Sequence, residues 1–188
     1  SETMTHQSEQ VLEENLVKQL ISLGHEPVTI HDEAGLLTNL KSQLEKHNRM
    51  QFSQPEFAKI LNQLNRYSSV FERSRVLRDK FALAKDDGTT AYIEFINQEF
   101  WCKNEFQVTS QVTMEGSYKN RYDVTILING LPLMQIELKR RGLELKEAYN
   151  QVNRYHRHSY GASNGLFLYV QLYVISNGVN TKYYANNK

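Results

Sequence analysis

Two runs of strand-forming residues, YDVTILI and LMQIEL, flank an Asn-Gly dipeptide, and charges stand where a buried hairpin would ordinarily exclude them. Asp123 sits in the first run, Glu137 in the second, and Lys139 directly after it. Side chains alternate along a strand, so Glu137 and Lys139 share one face while Met134, Ile136 and Leu138 occupy the other. Where Asp123 falls depends on the connection. A two-residue turn at Asn129-Gly130 pairs Asp123 with Ile136 and puts the two carboxylates on opposite faces. A three-residue loop, or one bulge, pairs Asp123 with Glu137 and brings them together. Pro132 cannot donate within a tight ladder and so favours the irregular connection.

If they converge, two carboxylates and an ammonium meet at the end of the hairpin away from the turn. Mutual repulsion and desolvation then raise the carboxyl pKa values unless a cation intervenes. A hard divalent ion resolves the conflict, and Mg2+ takes carboxylates, waters and phosphate oxygens. Such a site polarises a phosphodiester and lowers the pKa of an attacking water. Lys139 is then placed to position that water or to stabilise charge developing at phosphorus. The competing reading is an ordinary Glu137–Lys139 pair on an exposed strand face. In the helix that follows, Gln151 and Tyr155 are one turn apart on the face carrying Ala148 and Val152. By composition alone, a buried tyrosine with a polar neighbour explains that pair more simply.

The elements that must position these groups follow from periodicity. Leu12, Leu16, Leu20 and Leu23 predict an amphipathic helix over 8–23, with Ser8 as N-cap and Gly24 as its stop. Glu9 and Glu13 project onto or beside that leucine stripe, although Glu9 in a first turn also complements the helix dipole. Residues 34–84 read as helical, with Pro55 in a first turn. This stretch is rich in cations, among them Arg66, Arg73, Arg75, Arg78 and Lys80, read either as a solvated face or as a phosphate-contacting or partner-docking surface. From Asp86-Asp87-Gly88 onward the pattern turns to strands: AYIEFI, EFQVTSQVTM and the hairpin. A helix from Leu143 to about Ser159, a buried strand FLYVQLYVIS and a last strand TKYYA follow. That order predicts an α/β or α+β domain with a mixed central sheet flanked by helices.

A chain of 188 residues suffices for one domain with a real core. Its net charge of +1 creates no global electropositive field, so a nucleic-acid partner would be held by a local patch. Cys102 stands alone, which excludes an internal disulfide, fits a reducing cytoplasm and reads as a small core residue. The opening SETMTHQSEQ has no basic or apolar stretch of the signal-peptide kind, and no apolar run approaches a membrane span. A cytoplasmic protein without a membrane partner is expected.

The combination of Asp123 with Glu137-Leu138-Lys139 across a hairpin resembles the PD-(D/E)xK nuclease superfamily. With EAYNQVNRYHRHS and LYVQLYVISNGVNTKYYAN after the hairpin, and HQSEQVLEENLVKQLISLGHE before it, the chain is similar to the N-terminal nuclease domain of the R subunit of type I restriction enzymes. The similarity is densest over 121–185. The resemblance implies a restriction-endonuclease-like fold forming a single nuclease domain over 1–188, with a core of about 1–30 and 86–188 and a helical insertion of about 31–85. It implies Asp123 and Glu137 as Mg2+ ligands and Lys139 as the catalytic lysine. Glu9 would be a helix-one carboxylate near the metal, and Gln151 and Tyr155 a Q-x-x-x-Y motif for DNA contact and cleavage. Tyr122 stands where the superfamily loosely keeps a proline. The implied partners are double-stranded DNA and the modification and specificity subunits. The chain has no G-x-x-x-x-G-K-[ST] loop, so the ATP-driven motor of such a subunit is expected outside it. A standalone nuclease of the same superfamily, or a catalytically silent DNA-binding or docking module, are the alternative readings.

Overall fold

A computed structural model describes residues 2–114, 120–139, 145–146, 150, 166–178 and 180–185 of the chain. Its centre is a six-stranded sheet. In spatial order the strands are β1 (Glu26–Pro27), β4 (Phe106–Met114), β5 (Asn120–Ile128), β6 (Leu131–Leu138), β7 (Leu172–Ser176) and β8 (Thr181–Ala185). β1 pairs with β4, and β6 with β7, in parallel, and the remaining neighbours are antiparallel, so the sheet is mixed. A separate two-stranded ribbon joins β2 (Phe81–Ala84) to β3 (Thr90–Ile93). Helices flank the sheet, giving the expected mixed α/β class.

Helix α1 (Glu2–Ser22) sets Leu12, Leu16, Val17 and Leu20 against Val108, Val124, Ile126, Ile136, Leu138 and Val174 of the sheet. The helix continues well before Ser8, which is therefore inside it and not its cap. Leu23 lies past its end and is exposed, so the leucine stripe stops at Leu20.

Helices α2 (Glu33–Asn48), α3 (Gln54–Leu64) and α4 (Val70–Arg78) build the larger cluster. Asp32 caps α2 and Ser53 closes a capping box with Glu56 on α3, so each start is encoded locally. Leu36, Leu40 and Leu44 recur every four residues on α2 and are all fully buried, packing with Leu127 and Leu131 of the hairpin. Replacing any one by alanine would cost about 2–5 kcal/mol.

The stretch expected to stay helical to Ala84 instead ends its helix at Arg78, and β2 follows at once. The reason is tertiary: Glu56 accepts the Asp86 N–H at 2.9 Å and Lys85 Nζ at 3.2 Å, tying the ribbon's turn to α3. The strand expected over 167–176 begins only at Leu172. Leu166–Tyr169 form a short 3-10 turn, because Tyr169 turns its hydroxyl to the Leu64 carbonyl at 2.5 Å. Cys102, expected in the core, is exposed in the turn Trp101–Lys103. Arg73, read as part of a basic surface, is buried, with its guanidinium 6.0 Å from the Tyr169 ring centroid. The helix expected from Leu143 lies almost wholly outside the described residues.

Candidate metal centre on the central hairpin

The β5–β6 hairpin turns through Asn129 (φ 51°) and Gly130 (φ 85°). Positive φ at both turn residues matches the right-handed twist of the strands, which is why Asn-Gly occupies the turn. Asn129 is also a structural hub. Its Oδ1 accepts the Glu105 N–H at 2.8 Å, and its Nδ2 donates to the Phe95 carbonyl at 2.8 Å and to Asn104 Oδ1 at 2.9 Å. Ile128 pairs with Leu131 and Leu127 with Pro132, but the next pair is Ile126 with Met134. Leu133 is thus an extra residue, a bulge next to Pro132, where no N–H is available to the ladder.

That one residue decides the geometry of the charges. Beyond the bulge Thr125 faces Gln135 and Val124 faces Ile136, so Asp123 stands across from Glu137. The two carboxyl groups are close enough to share a proton, and Asp123 Oδ2 accepts the Leu138 N–H at 2.7 Å. Glu137 is buried while Asp123 is half-buried. Burial, then the negative charge of Asp123 and the hydrogen bond between them, pushes the Glu137 carboxyl well above the usual carboxylate range; Lys139 and Gln135 pull the other way. Lys139 follows β6, its N–H donated to the Ser176 carbonyl at 2.8 Å, and its ammonium acts on Glu137 through its charge.

The donor set suits a hard cation. Both groups offer only oxygen, and Mg2+ is commonly held by one or two carboxylates with waters completing its shell. Among the described residues no group of three or more His, Cys, Asp or Glu gathers, so the pair alone carries this fit.

Glu9 lies on α1, half-buried, one turn before Glu13. Glu13 accepts a short hydrogen bond from Gln111 Nε2. Gln111 sits between the register pairs Ser110↔Val124 and Val112↔Tyr122, the position across from Asp123, and has a left-handed backbone (φ 63°) uncommon for a residue with a side chain. The structure therefore brings Glu13 to the strand beside Asp123. Gln151 and Tyr155 lie outside the described residues.

Sequence reasoning passed over Thr125 and Gln135. Both are buried, and they link to Glu137: Thr125 Oγ1 donates to Gln135 Oε1 at 2.7 Å, and Gln135 Nε2 to Glu137 Oε1 at 2.9 Å. The signal was present in their parity, two residues after Asp123 and two before Glu137, as polar side chains inside apolar runs.

No described helix is long and apolar enough to cross a membrane. The chain is 49% identical over 98% of its length to the type I restriction enzyme SauMSSORF170P endonuclease subunit of Staphylococcus aureus, and spans 20% of that relative. It is 39% identical over 98% of its length to the EcoprrI endonuclease subunit of Escherichia coli, spanning 60% of it. A putative type I restriction enzyme endonuclease subunit of Methanocaldococcus jannaschii is 33% identical over half the chain. The chain thus corresponds to about one fifth of the staphylococcal relatives it matches. The family described as the type I restriction enzyme R protein N terminus matches residues 6–188, which include the hairpin and both carboxylates, and it is to this family that the chain belongs.

Proposed function

We propose that this chain is the Mg2+-dependent endonuclease domain of a type I restriction enzyme R subunit, hydrolysing phosphodiester bonds of double-stranded DNA. The observation that carries this reading is the bulge that sets Asp123 beside Glu137, with Lys139 two residues further on. Asp123 and Glu137 would hold the ion through carboxylate oxygens. When bound, Mg2+ supplies charge that polarises the phosphodiester and lowers the pKa of an attacking water. Lys139 orients that water or offsets charge developing at phosphorus. Glu9 remains a candidate third carboxylate. Gln151 and Tyr155 would donate to phosphate oxygens and hold the backbone in line without ligating the ion, because an amide and a phenol are weaker Mg2+ partners than carboxylates. Arg66, Arg75 and Arg78 are candidates for phosphate or partner contact.

Relatives that match 98% of this chain, as one fifth of their own length, favour a subunit over a standalone nuclease. In the whole enzyme, cleavage would follow ATP-driven translocation by motor domains outside residues 1–188, in complex with modification and specificity subunits in the cytoplasm. Asp123→Asn or Glu137→Gln in the assembled complex should abolish DNA cleavage and leave ATP hydrolysis largely intact. Equal loss of both activities in a folded variant, or undiminished cleavage, would contradict the assignment.

A further inference from the structure

Thr125 and Gln135 occupy the middle of the sheet, where apolar side chains would pack with no polar groups to satisfy. Both are essentially inaccessible, at 0% and 1% exposure. As register partners on β5 and β6 they could serve merely to tie two strands, and the 2.7 Å bond from Thr125 Oγ1 to Gln135 Oε1 does so. The second bond has no such use. Gln135 Nε2 donates at 2.9 Å to Glu137 Oε1 on its own strand, which adds nothing to strand pairing and only fixes the glutamate. Residues two apart on a strand project side by side, so the contact is built into the register.

Chemistry at the two ends fixes the direction of this chain. A carboxylate holding a cation only accepts, so the amide must present its NH2 to Glu137 and its carbonyl to Thr125, as the two bonds show. The Thr125 hydroxyl, able to donate or accept, donates to that carbonyl and anchors the far end of the amide. One Glu137 oxygen is then permanently engaged and the other is left for a cation shared with Asp123. We propose that Gln135 is the positioning residue for Glu137, and that Thr125 anchors its amide. The inference rests on the reading of Asp123 and Glu137 as metal-binding carboxylates.

The test is calorimetric titration of the chain with Mn2+, alongside thermal melts in the absence of metal. Partners that orient a metal ligand typically contribute about 10–100-fold in affinity, and that loss is expected for Gln135→Met, which keeps length and burial but cannot donate. Thr125→Val, nearly isosteric, should weaken binding by a smaller factor, and Thr125→Ser should restore it. A folded Gln135→Met that binds Mn2+ like the wild type, while Asp123→Asn does not bind, would overturn the positioning role and leave the carboxylate site standing. If Gln135→Met does not fold, the Thr125 variants decide: weaker binding in Val with recovery in Ser supports the relay, and equal binding in both refutes it. Wild-type binding that Asp123→Asn fails to remove would overturn the underlying site, and the positioning role with it.

Discussion

Gly130→Ala tests how tightly the helical layer is seated on the hairpin. A β-carbon at Gly130 would stand 2.7 Å from the Leu40 α-carbon and 3.2 Å from the Gln43 β-carbon, so the obstacle is the backbone of α2 and not a movable side chain. Gly88 provides the control, since it has the same φ of 85° but nothing within 4 Å of such a carbon. Holding alanine in the left-handed region costs about 1–2 kcal/mol, and its stiffer unfolded chain returns about 0.4–1 kcal/mol, leaving about 1 kcal/mol for Gly88→Ala. Gly130→Ala carries the same strain plus the displacement of α2, for which overpacking costs of about 1–3 kcal/mol are usual, giving about 2–4 kcal/mol in all. In a protein of this size 1 kcal/mol moves Tm by about 2–4 °C. Calorimetric melts should therefore fall by a few degrees for Gly88→Ala and by about 4–16 °C for Gly130→Ala. Equal shifts in the two variants would refute the close approach of α2 to the turn.

Three further outcomes follow from the same geometry. Glu137→Gln removes a buried acid whose charged form both burial and Asp123 disfavour, so its metal-free melting temperature near neutral pH should equal or exceed that of the wild type while added Mn2+ no longer raises it; a lower metal-free melting temperature would count against the repulsion. Glu56 is held at a pKa of about 2, below its ordinary 4.5, by backbone N–H groups of Ser53 and Asp86 and by Lys85. Its folded pKa is depressed, so its contribution to stability is full above about pH 4.5 and is lost as pH falls towards about 2. Urea unfolding of Glu56→Gln should consequently show a weaker pH dependence than the wild type across that window. Asn129→Gly keeps the permitted turn backbone but leaves the Glu105 N–H and the Phe95 carbonyl without their side-chain partner, and should cost about 2–4 kcal/mol in urea unfolding.

The central hairpin was legible because its determinants are local: Asn-Gly names the turn, and Pro132 signals the irregularity that brings Asp123 across from Glu137. Which connection formed could not be chosen from parity alone, since a two-residue turn and a bulge are each compatible with the residues and in fact occur together. β2 was missed because FALA has no strand signal of its own and is held by Glu56, thirty residues away from Asp86 in sequence. Arg73 was misplaced for a similar reason, as only the fold reveals that Tyr169 comes to lie beneath it. Thr125 and Gln135 were readable in pattern but not in consequence, because a polar residue inside a strand becomes informative only once its neighbour across the ladder is known.

The bond from the Leu138 amide to Asp123 gives the site a built-in isotopic reporter. Register pairing of β5 with β6 runs as far as Val124 and Ile136, and beyond it the Leu138 proton is held by a carboxylate and not by a carbonyl. Deuterium exchange at that single amide therefore follows the state of one side chain, whereas the amides of the ladder before it follow opening of the sheet. Asp123→Asn keeps an acceptor there and should leave the proton slow to exchange. Asp123→Ala removes the acceptor together with the charge, so alanine at this position loosens an interior strand end as well as deleting a ligand, and the two losses separate only when the asparagine variant is measured beside it.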